Sequence, residues 1–89
     1  MLDPGWAGGI TEAREIAGLA SAYHRPVAPH DCTGPVVYTV GAHLCLATPN
    51  AMIQEGVRAY YLGWYRDVLT SLPQVDGGYV VPPDGKLLT

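Results

Sequence analysis

The sequence predicts an α/β fold built from parallel β/α units. Three short apolar runs alternate with two stretches of helical spacing, and each run ends at a polar residue: Met1–Leu2 at Asp3, Val27–Pro29 at His30, and Ala51–Gln54 at Glu55. Strands that alternate with helices of about a dozen residues are typical of parallel sheets. The order strand, helix, strand, helix, strand therefore covers residues 1–56, and a segment of different character follows.

The first helix is predicted over residues 12–23. Thr11 is a good N-cap, and acidic side chains follow it where the helix dipole favours them. Pro26 ends the helix after the basic pair His24 and Arg25. The predicted buried face is the set at helical spacing: Ala13, Ile16, Ala17, Ala20 and Tyr23.

The second helix begins at Pro35, because proline is favoured at the first helical position. Thr48-Pro49-Asn50 ends it, and its predicted face comprises Val36, Val40, His43, Leu44 and Ala47. From Val57 the chain is rich in aromatic residues and is helical or irregular. The stretch 76–83 predicts a turn with a small extended piece.

Composition limits the possible functions. The chain has 89 residues, which is one domain at most, and a formal net charge of −3, which argues against binding to a nucleic-acid backbone. A hydrophobic fraction of 48% with 15% charged residues argues against disorder. No apolar run reaches the roughly 18 residues of a membrane span, and the N-terminus lacks a signal-peptide pattern. We therefore expect a cytoplasmic protein that contacts neither membrane nor nucleic acid.

Asp3, His30 and Glu55 are the candidate site residues, since each follows one of the predicted strands. The carboxyl ends of parallel strands meet on one face, where β/α folds carry their active sites. A carboxylate beside an imidazole orients the ring and raises its basicity, so Asp3 and His30 suit a general base. Glu55 could donate a hydrogen bond or a proton to developing negative charge.

Structural interpretations of the same residues stay open. Asp3 could cap a turn, His30 could be a ring bonded to backbone, and Glu55 could pair with Arg58. Gly8-Gly9 before the first helix could bind phosphate, but a tight crossing between strand and helix explains these glycines better. The candidate ligands for a zinc site are Cys32, Cys45, His30 and His43. Their spacing is not the CxxC pattern of zinc sites, so a zinc site is disfavoured.

Several stretches of the sequence, taken together, resemble one family of enzymes. These stretches are "LDPGWAGGITEA", "PVAPHDCTGP", "IQE" and "RAYYLGWYRD". In this order they resemble the C-terminal part of the mandelate racemase and muconate lactonizing enzyme family of the enolase superfamily. The resemblance implies a (β/α)7β barrel of which this chain holds the sixth, seventh and eighth strands. Residues 1–89 would then be a single partial domain, with the barrel part over 1–56 and a C-terminal tail over 57–89.

The resemblance also implies roles for the candidate residues. Asp3 matches the aspartate of the family's His–Asp dyad, His30 matches the histidine that acts at the carbon beside the substrate carboxylate, and Glu55 matches the glutamate that contacts substrate. The "HDCTGP" loop resembles the acid-sugar dehydratases, so dehydration of a sugar acid is the expected reaction. Racemisation or epimerisation of a 2-hydroxy acid is the alternative within enzymes, and a non-catalytic, self-associating chain is the alternative outside them.

The cofactor implied by the resemblance is Mg²⁺, held by carboxylates at the ends of the third, fourth and fifth strands of the family barrel. This chain matches none of those strands, so no metal ligand is expected in it. The chain alone is therefore expected to be inactive. A small carboxylate is the expected substrate, and a homo-oligomer is the expected assembly.

Overall fold

The computed structural model describes residues 1–83, so the end of the 57–89 tail lies outside the described residues. The regular elements, in chain order, are α1 (Ile10–Ala22), α2 (Pro35–Ala47), α3 (Arg58–Tyr61), α4 (Tyr65–Val68), β1 (Gln74–Asp76) and β2 (Tyr79–Val81). Helices and extended segments alternate along the chain, as the predicted α/β class requires.

The three apolar runs lie side by side and parallel, but they form isolated bridges rather than continuous strands. Leu2 bridges Pro29, and Val27 bridges Ala51, both in parallel orientation. The backbone amide of Leu2 donates to the carbonyl of Ala28 at 3.0 Å, and that of Met52 donates to Val27 at 2.8 Å. The middle segment cannot extend this pairing, because Pro26 and Pro29 at its two ends have no amide hydrogen to donate.

Helix α1 begins earlier than predicted, and the N-cap assigned to Thr11 is wrong. Gly9 caps the helix with φ 112°, and the preceding glycine also has a positive φ. Glycine adopts this conformation without steric cost, so the chain enters the helix before Thr11 is reached. The buried face is also narrower than predicted: Ala13 and Ala17 are buried, whereas Ile16 and Tyr23 are exposed.

Helix α2 begins at Pro35, as predicted, but a different face is buried. Of the predicted face, only Leu44 is buried; the buried set is Pro35, Tyr38, Thr39, Gly41, Ala42 and Leu44. The physical reason is the C-terminal segment. It packs against Tyr38 and so buries the side of the helix that carries this residue.

The buried side chains form two clusters. The first contains Leu2, Ala13 and Leu44. The second contains Tyr38, Tyr65 and Leu72, with Tyr61, Leu69 and Val80 packed against it. The first cluster joins the start of the chain to α1 and α2, and the second joins α2 to the segment after residue 57.

Strands β1 and β2 form an antiparallel hairpin in which Val75 faces Val80. Gly77 and Gly78 both have positive φ, at 57° and 83°, and make the turn between the strands. The turn and extended piece predicted for this stretch are thereby confirmed. Within residues 1–83, no helix has both the length and the apolar character needed to cross a membrane.

Candidate active site

The pairing of the extended segments brings Asp3, His30 and Glu55 to one edge. The amide of His30 donates to the carbonyl of Leu2 at 2.8 Å, and the amide of Glu55 donates to Pro29 at 3.1 Å. Each of these polar residues thus lies at the end of its segment beside the end of the next one. Their side chains meet at this edge, as the sequence predicts.

Both oxygens of the Asp3 carboxylate are occupied. Oδ1 accepts from the amides of Gly5 at 2.8 Å and Trp6 at 3.0 Å. Oδ2 accepts from Nδ1 of His30 at 2.7 Å and from the hydroxyl of Thr33 at 2.6 Å. One oxygen therefore caps a turn and the other orients the imidazole, so the structural and the functional interpretation of Asp3 both hold.

These contacts decide the charge of Asp3. Burial alone would raise the pKa of its carboxyl, but the hydrogen bonds, that of Thr33 foremost, outweigh burial and lower the pKa to about 2. Asp3 is therefore a carboxylate near neutral pH and can only accept hydrogen bonds. His30 must donate its Nδ1 proton to Asp3, which leaves Nε2 as the nitrogen that can gain or lose a proton.

The His30 ring is held between two carboxylates. Nδ1 contacts Asp3, and Nε2 lies 3.5 Å from Oε1 of Glu55. The hydrogen bond to Asp3 is the main cause of a raised pKa for His30, and the charge of Glu55 adds to it. Since 29% of the side chain is accessible, solvent or a small molecule can reach the ring. The alternative of a ring bonded only to backbone is wrong.

Glu55 lies on the open side of the site. Its Oε1 accepts from the amide of Asp31 at 3.0 Å, and 36% of its side chain is accessible. In the part of the chain that the structure describes, no ion pair joins it to Arg58. The alternative of a solvated Glu55–Arg58 pair is therefore wrong, and Glu55 instead faces His30.

Sequence reasoning missed Asp31, Thr33 and Tyr65. Asp31 is fully buried, although it directly follows the accessible His30. Its carboxylate accepts from the amide of Val57 at 3.0 Å and from the hydroxyl of Tyr65 at 2.7 Å. Burial raises the pKa of Asp31, and these two hydrogen bonds oppose that rise. The partners lie 26 and 34 residues further along the chain, so only the long-range contacts identify this residue.

The described residues do not cluster as metal ligands. Across residues 1–83, no group of three or more His, Cys, Asp or Glu side chains is placed to hold a metal ion. All acceptor positions of the Asp3 carboxylate are already taken by its hydrogen-bond donors. Residues 1–83 therefore do not form a Mg²⁺ site by themselves.

The arrangement suits proton transfer at one nitrogen. Asp3 fixes the ring and stabilises its protonated form, the side chain is partly accessible, and Glu55 supplies a second carboxyl group 3.5 Å from Nε2. A carboxylate on the far nitrogen of an imidazole raises its basicity, which suits the ring to act as a general base.

Comparisons with known proteins identify the family of this chain. The family described as enolase C-terminal domain-like matches residues 1–86. The D-xylonate dehydratase of Haloferax volcanii is 34% identical over 77 residues, which are 86% of this chain and 18% of that protein. The D-galactonate dehydratase of Ralstonia nicotianae is 34% identical over 82 residues, covering 86% of this chain and 22% of that protein.

A solved structure is similar in both sequence and shape. It is an enolase of the mandelate racemase subgroup from Agrobacterium tumefaciens, 56% identical, with a TM-score of 0.79 over 85% of this chain and 21% of that one. The chain thus spans about a fifth of the length of the relatives it matches. Because the family match covers nearly all of its residues, the chain belongs to the enolase C-terminal domain-like family, as its resemblance to the mandelate racemase and muconate lactonizing enzymes implies.

Proposed function

We propose that this chain supplies the general base of a reaction that removes the proton beside the carboxylate of a sugar acid and then eliminates water. The observation that carries the proposal is the partly accessible His30 ring, which Asp3 fixes at Nδ1 and whose Nε2 lies 3.5 Å from Glu55. The dehydratase relatives, whose printed names specify D-xylonate and D-galactonate, support a sugar acid as the substrate class.

In the first step, Nε2 of His30 takes the proton from the α carbon, and the electron pair of that C–H bond moves into the carboxylate to give an enediolate. Asp3 stabilises the imidazolium that forms, because its carboxylate accepts a hydrogen bond from Nδ1–H of His30. Glu55, whose Oε1 lies 3.5 Å from Nε2 of His30, takes up a proton from solvent as the anionic substrate binds beside it and then donates a hydrogen bond to the oxygen that gains charge. Such a donor at developing negative charge is worth about 3 kcal/mol.

In the second step, the imidazolium of His30 gives its proton to the hydroxyl on the neighbouring carbon. The C–O bond breaks, water leaves, and the electron pair of the enediolate forms the new carbon–carbon double bond. The product is an enol that becomes a 2-keto acid. The proton balance closes, because His30 returns the proton that it took.

Racemisation or epimerisation is the second candidate, and the mandelate racemase subgroup assignment of the similar Agrobacterium tumefaciens structure favours it. The first step would be the same, but a proton would return to the α carbon and no water would leave. The two reactions therefore differ only in the fate of the enediolate, and their products distinguish them.

We further propose that the parallel bridges at Leu2–Pro29 and Val27–Ala51 mark the last three strands of a (β/α)7β barrel. Residues 1–89 would then be a single partial domain, with the barrel part over 1–56 and the tail over 57–89. On this proposal, the ligands for Mg²⁺ belong to other strands of the barrel, and the chain alone is inactive.

The test transfers this chain into a relative. Residues 1–86 replace the matched part of the Agrobacterium tumefaciens enolase, and α-proton exchange of sugar acids in D₂O is measured by NMR. We expect exchange in the chimera and its loss on His30→Asn, because Nε2 of His30 is the atom proposed to take the proton. His24→Asn is the matched control: His24 is exposed at the end of α1, and asparagine tolerates its φ of 56°.

Three outcomes decide between the candidates. A 2-keto acid product that requires His30 supports dehydration, and an epimer that requires His30 supports the racemase alternative. Full α-proton exchange in a folded His30→Asn chimera contradicts the general-base role and favours the non-catalytic alternative. Circular dichroism shows in each case whether the variant is folded.

We also propose that the isolated chain self-associates. Large apolar side chains are exposed along one helix and beside the third extended segment, including Leu19, Met52 and Ile53. Contiguous exposed apolar surface drives association in water. Light scattering of the purified chain should therefore give a mass above 9.5 kDa, and a monodisperse monomer would contradict this proposal.

A further inference from the structure

The buried carboxylate of Asp31 has no part in the proposed proton transfer, yet its residue adjoins both His30 and Glu55. Asp31 follows His30 in the chain, and none of its surface is accessible. Its Oδ2 accepts from the amide of Val57 at 3.0 Å, and its Oδ1 accepts from the hydroxyl of Tyr65 at 2.7 Å. Both donors belong to the segment that follows Glu55.

Asp31 also contacts Glu55 itself. The backbone amide of Asp31 donates to Oε1 of Glu55 at 3.0 Å, while its side chain holds Val57, two residues further on. One residue therefore holds the chain at 55–57 from two sides. The same Oε1 is the atom that lies 3.5 Å from Nε2 of His30.

Stability alone gives a poor account of this carboxylate. A buried charge is costly to desolvate, and apolar groups of similar volume are often equally or more stabilising in its place. Tyr65 already packs against Tyr38 and Leu72, so the ring would stay buried without its hydroxyl contact. What the hydrogen bonds of Asp31 add is a fixed geometry around Glu55.

We propose that Asp31 is a positioning residue: by fixing Val57 and Tyr65, it sets the position of the Glu55 carboxyl group relative to His30. The catalytic role of Asp31 rests on the proposed function. The coupling between Tyr65 and Glu55 is structural and is independent of that function. The coupling can therefore be measured without any substrate.

The test must separate geometry from charge. The titratable groups that interact with Asp31 are His30, Glu55, Tyr38 and Tyr65, while Cys32 acts on Tyr65 and Asp3 acts on the same histidine. Substituting Asp31 would remove a negative charge near His30 and lower its pKa for that reason alone. Tyr65→Phe changes no charge near neutral pH, since burial raises the pKa of its hydroxyl and keeps it protonated.

The experiment is an NMR titration of the His30 ring in the full chain, in Tyr65→Phe and in the matched control Tyr79→Phe, each with and without Glu55→Gln. Tyr79 is exposed on the hairpin, so its hydroxyl has no bearing on the site. We expect Tyr65→Phe to lower the pKa of His30 when Glu55 is present, because the carboxylate is no longer held beside the ring. With Glu55→Gln already in place, Tyr65→Phe should have no effect.

Two results would overturn the proposal: an unchanged pKa of His30 in Tyr65→Phe, or the same change with and without Glu55. The Asp31 amide gives an independent readout, because its hydrogen exchange should become about fivefold faster when its bond to Glu55 loosens.

A measurement on the unaltered chain covers the case in which Tyr65→Phe does not fold. The amide shift of Val57 should follow the titration of the Asp31 carboxyl carbon, and the amide shift of Asp31 should follow that of Glu55. Independent titrations would overturn the proposal. Intact coupling without α-proton exchange in the chimera would instead count against the proposed function alone.

Discussion

Residues 1–56 carry the candidate site, whereas residues 57–83 contribute much of the buried packing. Residues 1–56 carry Asp3, His30 and Glu55, but their own buried cluster consists of only Leu2, Ala13 and Leu44. Residues 57–83 carry no member of this trio, yet they supply Tyr65 and Leu72 to the larger, aromatic cluster. The region with the proposed chemistry therefore depends on the other region for its packing.

The largest effect is expected at the junction between the two regions. Tyr65→Ala removes a fully buried ring that contacts Tyr38 and donates to Asp31, so it should lower the free energy of unfolding by about 4 kcal/mol. Urea unfolding measures this. Tyr79→Ala, on the exposed hairpin, is the control and should cost about 0.5 kcal/mol or less. Equal losses for the two variants would show that the aromatic cluster does not join the regions.

A smaller loss is expected within the first region. Leu44→Ala opens a cavity beside Leu2 and Ala13, and should cost about 2.5 kcal/mol, near the lower end for such changes because its neighbours are few. The same urea series measures it, with the exposed Leu46→Ala as the control. A loss larger than that of Tyr65→Ala would reverse the comparison between the regions.

The pH dependence of stability tests the site itself. The folded-state pKa of Asp3 is about 2, below the ordinary 3.8, so its contribution is present above pH 3.8 and is lost as pH falls toward 2. Allowing for solvent screening at this edge, the loss should be about 1 kcal/mol. His30 has the opposite sign: its pKa is raised, so its contribution is present below 6.5 and is lost as pH rises through the folded-state pKa.

Urea unfolding at a series of pH values checks both signs. Asp67→Asn, which alters an exposed carboxyl group on α4, is the matched control. Asp3→Asn should flatten the acid limb of the profile more than this control does. An acid limb that is the same with and without Asp3 would contradict the hydrogen bonding described for its carboxylate.

The smallest effect is expected on the exposed face of α1. Gly18 lies inside the helix with open space around it, so Gly18→Ala should stabilise the chain by about 0.7 kcal/mol through helix propensity. Gly9→Ala is the contrasting variant, because φ is 112° there and alanine is strained in that conformation. The midpoint of thermal unfolding should rise in Gly18→Ala and fall in Gly9→Ala. A lower midpoint in Gly18→Ala would contradict this prediction.

The same division decides what the sequence could predict. The ends of the apolar runs are local features, so the positions of Asp3, His30 and Glu55 at one edge follow from the order of strands and helices. The buried face of α2 does not, because it depends on Tyr65, 27 residues beyond Tyr38. Hydrophobic periodicity selects apolar residues such as Val36 and Val40, whereas packing against the C-terminal segment buries Tyr38.

Thr11 and Asp31 show two further limits of local reasoning. Thr11 has the chemistry of a cap, but backbone conformation at Gly9 determines where α1 begins. Asp31 is a charged residue in a polar loop, and nothing near it in the sequence marks it as buried. Its partners are a backbone amide and a distant tyrosine, and only the folded chain brings these together.

The occupied acceptor positions of Asp3 have a consequence for the tautomer of His30. In an Asp3→Asn variant, the amide oxygen would satisfy the turn amides of Gly5 and Trp6, and the amide NH₂ group would then face Nδ1 of His30. A donor at that place favours the tautomer whose proton is on Nε2. The substitution would thus keep the turn and the ring position but move the free lone pair of His30 from Nε2 to Nδ1. One oxygen of the Asp3 carboxylate therefore serves the turn, and the other determines which nitrogen of His30 can accept a proton.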